Sequence, residues 1–213
     1  MKKFILFLIL LFAAVAYAQQ TPNFQTVAER RLKDKFNTKL SKVCDLQDVV
    51  AERVFREYGA IFVGNDVRVP GNCVFDNEAS VYAFQAAALP EVANVGGVTV
   101  TLQKPAMAEY LAARRDAHKK GLDITPRGGS TASARSYATM LDLWRSRFDP
   151  ALAYYVKRRS ISPAEASAAR SAPTREQVAM VLEWEKKGLY FSKDLSKSIL
   201  YSVAVPGASQ HGF

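Results

Sequence analysis

Residues Pro206-Gly207-Ala208-Ser209-Gln210-His211, close to the end of the chain, couple a rigid turn to two groups able to do chemistry. Proline presets one backbone angle and glycine accepts left-handed backbone, so Pro-Gly is a tight-turn signal. The turn delivers a hydroxyl and an imidazole, and that imidazole is one of two in the protein. Serine–histidine catalysis is open on composition, but no GxSxG elbow marks a nucleophile. The other stretch of interest is Pro126-Arg127-Gly128-Gly129-Ser130. Its paired glycines lack the Lys-Ser/Thr ending of a phosphate-cradling loop, and neither an HExxH helix nor a dinucleotide fingerprint occurs anywhere. His118 sits among Arg114, Arg115, Lys119 and Lys120, and Glu183 and Glu185 flank Trp184. Both groups read as solvated faces.

The elements around these stretches mix helices with a few short strands. Residues 24–42 are charged and read as a surface helix. Asp45 opens a better helix, with Leu46, Val49, Val50, Val54 and Tyr58 at helical spacing and Gly59 at its end. Residues 60–63 read as a short buried strand, and Val67 and Val69 as an alternating pair. Asn77 caps a helix over 78–89. Gly96-Gly97 precedes an alternating strand over 98–102. Pro105 begins a helix that runs to about residue 120. Residues 122–125 form a short strand that ends at the Arg127 corner, and Ser130 is the candidate cap of the next helix. Tyr137, Met140, Leu141 and Trp144 make an apolar stripe on that helix, which is core rather than a cofactor box. Asp149-Pro150 starts another helix, and Ser162-Pro163 a short Ala-rich one followed by a loop up to residue 173. Thr174 to Gln177 has the capping-box spacing and opens a helix. Residues 199–205 read as the strand that feeds the terminal turn. Without regular βαβ alternation, the pattern predicts an α+β fold: helices with a small, mostly antiparallel sheet.

Lys2 and Lys3, an apolar run over 4–15 and Ala16-Tyr17-Ala18 make a secretory signal peptide, with the mature chain starting at Gln19. The apolar run is shorter than the ~20 residues of a membrane-spanning helix. Its removal takes two lysines away, so the formal charge of +9 falls to +7 (9 − 2). A basic exported protein is drawn to anionic polymers such as cell-wall peptidoglycan, or to phospholipid surfaces; alternatively the charge serves only solubility. Neither nucleic acid nor a membrane, once the signal is cleaved, is an expected partner. Cys44 and Cys73 are the only cysteines. In an oxidising compartment, periplasmic or extracellular, they favour one disulfide over two buried thiols.

Residues 201–211, Tyr-Ser-Val-Ala-Val-Pro-Gly-Ala-Ser-Gln-His, resemble the approach to the metal in the zinc D-alanyl-D-alanine carboxypeptidases and dipeptidases of the VanY type. That family carries P-G-x-S-x-H-x-x-G-x-A-x-D. The resemblance implies that His211 is the first zinc ligand and that Ser209 lies near the substrate. It also implies an arginine for the substrate's terminal carboxylate: Arg127, at the end of a strand just before a helix, is the first candidate, and Arg135 of Arg135-Ser136-Tyr137 the second. The family's aspartate ligand, later histidine ligand and glutamate base fall past residue 213. The zinc-peptidase core is therefore expected to be incomplete at the C-terminus, and the chain to be the N-terminal part of a longer protein, inactive by itself. The implied division is a signal peptide over 1–18, a mostly helical region with short strands over 19–120, and a carboxypeptidase-like part over 121–213. The implied activity is hydrolysis of peptidoglycan stem peptides ending in D-Ala-D-Ala. A fixed guanidinium fork matches a free carboxylate and favours a carboxypeptidase over an endopeptidase. A non-enzymatic basic envelope protein that binds cell wall or another envelope protein is the alternative.

Overall fold

The computed structural model describes residues 23–212; the signal peptide expected over 1–18 lies outside them. The fold is α+β, helices with one small antiparallel sheet. In chain order the helices are α1 (Phe24–Phe36), α2 (Leu40–Val43), α3 (Val49–Tyr58), α4 (Glu78–Ala87), α5 (Lys104–His118), α6 (Tyr137–Lys157), α7 (Pro163–Ser171) and α8 (Thr174–Lys186). The hairpin β1 (Pro90–Val95) and β2 (Val98–Gln103) stands between α4 and α5. Val95 faces Val98 across the two-residue turn, where Gly96 and Gly97 both have positive φ, as a primed hairpin turn requires.

The largest apolar cluster joins α1, α3, α6, α7 and α8, with Trp144, Phe148 and Phe191 fully buried at its centre. It takes residues from Ala28 to Ala208, so both halves of the chain share it. Phe75, Val81, Phe84 and Met140 form a second cluster between α4 and the start of α6. Val95, Val100 and Met107 make a third, which seats the hairpin on α5. Cys44 and Cys73 are joined as a disulfide, with Cα atoms 4.9 Å apart. The adjoining backbone runs parallel to the bridge, Cys73 N donating to Val43 O at 2.8 Å. Among the described residues no helix is long and apolar enough to cross a membrane.

Several expected elements take another form. Residues 24–42 divide at Asn37, whose left-handed backbone closes α1, and Leu40–Val43 is a separate turn. Residues 59–62 and 199–201 are 3₁₀ turns rather than strands. Ser202 N and Val203 N donate to Ile199 O at 2.8 and 3.0 Å and coil the segment, with Ile199 and Leu200 both buried. Residues 122–125 are irregular, and Leu122 is 63% exposed. Arg68, between Val67 and Val69, finds a side-chain partner instead of a strand: its N–H donates to Gln103 Oε1 at 2.7 Å and its carbonyl accepts from Gln103 Nε2 at 3.0 Å. The helix expected to start at Pro150 is the second half of α6, which runs through the proline. Proline removes the N–H that would reach the carbonyl four residues earlier. That carbonyl, on Ser146, accepts from Arg147 Nη1 at 3.3 Å instead. The expected loop before Pro173 is mostly α7, which carries the capping box Ser162/Glu165. At α8 the expected box is absent, because Gln177 turns inward and donates to the carbonyls of Arg170 and Ala172 at 3.2 and 3.0 Å.

Candidate functional site

The Pro206-Gly207 turn is anchored by the core. Val205 and Ala208 are buried in the main cluster, and Ala208 N donates to Val205 O at 3.0 Å. Gly207 has φ +77°, so the turn has the type II signature that Pro-Gly encodes. Its carbonyl accepts from Phe75 N at 2.8 Å. A β-carbon at this position would run into the Phe75 backbone. Glycine is therefore required both for its conformation and for close approach.

Beyond the turn, Ser209 is buried, and its Oγ accepts from His211 N at 3.3 Å. Gly212 N donates to Ser209 O at 2.8 Å and closes a 3₁₀ turn over Gln210–Gly212. The carbonyl of His211 accepts from Arg135 N at 2.7 Å. Gln85 of α4 ties the two segments together: its Nε2 donates to Arg135 O at 2.9 Å and contacts Gly212 O at 3.4 Å. Ser133 Oγ accepts from Thr101 N at 3.1 Å, so β2 braces the same segment. Ser136 caps α6 in place of the expected Ser130, accepting from Thr139 N at 3.1 Å. Ser130 lies in a 3₁₀ turn over Gly129–Ala132.

Arg135, Ser209 and His211 line one open cleft of about 460 Å³ together with Tyr58, Leu143 and Arg147. Pockets of this size suit small ligands. Arg127 is exposed and lies outside the lining. Burial lowers the pKa of the His211 imidazole, and the Arg135 charge lowers it further; hydrogen bonding to the Ser133 and Ala132 backbone opposes both. Burial also lowers the Arg135 guanidinium from its ordinary value, without bringing an arginine near neutrality. The Tyr58 phenol donates to Leu200 O at 3.2 Å, and burial pushes its pKa well up. Glu57, the one carboxylate lining the cleft, pairs with Arg53 at 2.9 Å.

The cleft thus offers a neutral-leaning imidazole, a buried hydroxyl and two guanidinium groups, a donor set for an anion. It is a poor donor set for a metal. A catalytic zinc needs three protein ligands, and the cleft offers only His211 and Glu57, whose carboxylate is already paired with Arg53. Among the described residues no three His, Cys, Asp or Glu side chains converge to hold one. His118 is a surface group, held to Asp123 at 2.6 Å, and Asp123 also takes Arg114 at 2.8 Å.

Sequence reasoning overlooked Gln85, Tyr58 and Arg147. Nothing in their local spacing sets them apart, since each acts through a contact made by tertiary folding. Comparison of the chain with protein-family models, curated proteins and solved structures finds no match.

Proposed function

We propose that the cleft is the substrate-recognition half of an exported D-alanyl-D-alanine carboxypeptidase-like site, holding the free C-terminal carboxylate of a peptidoglycan stem peptide. The observation that supports this reading is that Ser209, His211 and Arg135, the second of the two arginine candidates, line one cleft, which the first candidate, Arg127, does not. Arg135 is the carboxylate ligand in this reading. A half-buried guanidinium forms a stronger, better-fixed fork than an exposed one such as Arg127. Ser209 and His211 stand beside it to orient the last residue of the peptide. His211 would be one ligand of the zinc that the family uses. The described residues do not complete that ligand set, so no hydrolytic step follows from them.

Calorimetry with an N-acylated tripeptide ending in Lys-D-Ala-D-Ala, and with its C-terminal amide, tests the reading. The acid should bind at least about tenfold more tightly than the amide, the factor made by one charge-assisted hydrogen bond. Arg135→Gln should abolish that difference, whereas Arg127→Gln should leave it intact. Equal binding of acid and amide by the unaltered protein would sink the proposal.

A further inference from the structure

We propose that the loop over residues 119–127 is a docking surface for an anionic phospholipid membrane, with Leu122 and Ile124 entering the bilayer interface and the cations beside them meeting headgroup phosphates. The proposal is independent of the reading of the cleft. It departs from the expectation that the exported chain has no membrane partner.

The sequence joins two features here. From Arg114 to Arg127 there are five Lys or Arg residues and two Asp. Within that run stand Leu122 and Ile124, 63% and 40% exposed. Neither joins any of the three apolar clusters, so folding leaves them at the surface.

The chain holds these side chains out on a fixed frame. Gly121, at φ +70°, follows the end of α5, and Leu122 N donates to Ala117 O at 3.0 Å. Asp123 turns back to α5, where its carboxylate accepts from Arg114 Nε and Nη2 at 2.8 and 3.1 Å and meets His118 Nε2 at 2.6 Å. The Tyr110 hydroxyl donates to Ile124 O at 3.3 Å. Three consecutive residues are thus tied to one helix, yet the two apolar side chains stay in water.

Charge decides the kind of partner. Both carboxylates of the run are taken up within it, Asp123 by Arg114 and Asp116 by Lys119, each at 2.8 Å. Arg115, Lys120 and Arg127 are exposed and form no ion pair among the described residues. The charge left for a partner is therefore positive, and Arg127, which the cleft does not use, belongs to it. A soluble anionic polymer would satisfy these cations and leave Leu122 and Ile124 in water. An anionic bilayer satisfies both, since its phosphates attract Lys and Arg and the boundary beneath them takes up apolar side chains. Leu89 and Val92 are exposed too, but they flank Glu91, so the same reasoning excludes them.

Sedimentation of the mature chain with vesicles of phosphatidylcholine alone, or of phosphatidylcholine and phosphatidylglycerol in equal parts, tests this. The chain should pellet with the anionic vesicles and not with the neutral ones. Leu122→Ser/Ile124→Ser should weaken that binding at least about tenfold, the share carried by partial burial of two aliphatic side chains. Lys120→Gln and Arg127→Gln should each weaken it about fivefold, and Leu89→Ser should leave it unchanged. Every exchanged residue is exposed, so circular dichroism melts of the variants should match that of the unaltered chain. Leu122→Trp should shift its emission to the blue when anionic vesicles are added, in difference spectra against the unaltered chain. Failure to bind anionic vesicles would overturn the proposal. So would full binding by the apolar double variant, which would leave charge as the sole attraction, or a Leu122→Trp emission that the vesicles do not move.

Discussion

Gly207→Ala should be among the most damaging single-methyl additions the chain can take. At φ +77° an L-residue sits in the left-handed region, at a cost of roughly 1–2 kcal/mol. The new β-carbon also meets the Phe75 backbone, which cannot rotate away as a side-chain tip would. Relief requires the turn to back off from Phe75, which breaks the 2.8 Å bond from Phe75 N to Gly207 O. Breaking it leaves a buried donor unpaired, which costs about 1–3 kcal/mol. With the left-handed cost the total is about 2–5 kcal/mol, of which about 3 kcal/mol is the central value. For a protein of this size, 1 kcal/mol corresponds to roughly 2–4 °C, so the melting temperature should fall by about 6–12 °C. Circular dichroism melts of the variant beside Gly71→Ala make the measurement. Gly71 has no atom within 4 Å of an added β-carbon and serves as the control. Because the same turn carries Ser209 and His211, tripeptide affinity should fall as well. A Gly207→Ala protein that melts within a degree or two of the unaltered chain would refute the account of the turn.

Reduction of Cys44–Cys73 reopens a loop of sequence separation 29; loop-closure entropy sets the loss at about 3–4 kcal/mol, measurable as the difference in urea unfolding with and without reductant. Asp48 caps α3 through Val50 N and Ala51 N at 3.0 and 2.8 Å and also meets Arg175 at 2.7 Å. Asp48→Ala should cost about 1–2 kcal/mol and Asp48→Asn clearly less, since asparagine still caps; equal losses in urea titrations would point to the ion pair instead. His211 should titrate below an ordinary histidine, and Arg135→Gln should move it back up, as followed by NMR of the ring protons. The sign for stability follows. With the folded pKa depressed, the unfolded chain binds the extra proton, so stability is complete above the unfolded pKa and declines as pH falls toward the folded one. A His211 titration indifferent to Arg135 would remove the arginine as a cause.

Helices with strong local signals were legible in the sequence. Asn77 and α4, Pro105 and α5, and the stripe that includes Met140 and Trp144 on α6 all carry their own caps or periodicity. What escaped was decided by tertiary contact. The strand β1 has Pro90, Glu91 and Asn94 in a six-residue run and buries only Val95, so no alternation betrays it. Pro150 reads locally as a helix start, yet α6 passes through it because Arg147 serves the carbonyl that proline leaves without a donor. Residues 199–205 have strand-like composition but pair with no strand among the described residues, and hydrogen bonds from Ser202 and Val203 to Ile199 O coil them instead. At the cleft, the Pro-Gly turn could be read from two letters. That Arg135 lines the cleft and Arg127 does not could not be read, since it depends on a bond from Arg135 N to His211 O that only the folded chain makes.

Three bonds to backbone groups hold the segments that line the cleft. Arg135 N on His211 O, Phe75 N on Gly207 O, and Gln85 on Arg135 O fix the spacing of the walls without using a guanidinium or an imidazole ring. Charge and shape are therefore separable at Arg135: its backbone N–H and carbonyl make these bonds, so Arg135→Gln changes the charge of the cleft while keeping them. If the proposed function holds, surface charge and cleft charge act differently. Surface charge beyond a Debye length of about 8 Å is screened at physiological salt and would mainly affect the rate of encounter with an anion. The half-buried guanidinium of Arg135 is screened much less, so the preference for the acid tripeptide over its amide should persist at salt concentrations that slow the encounter.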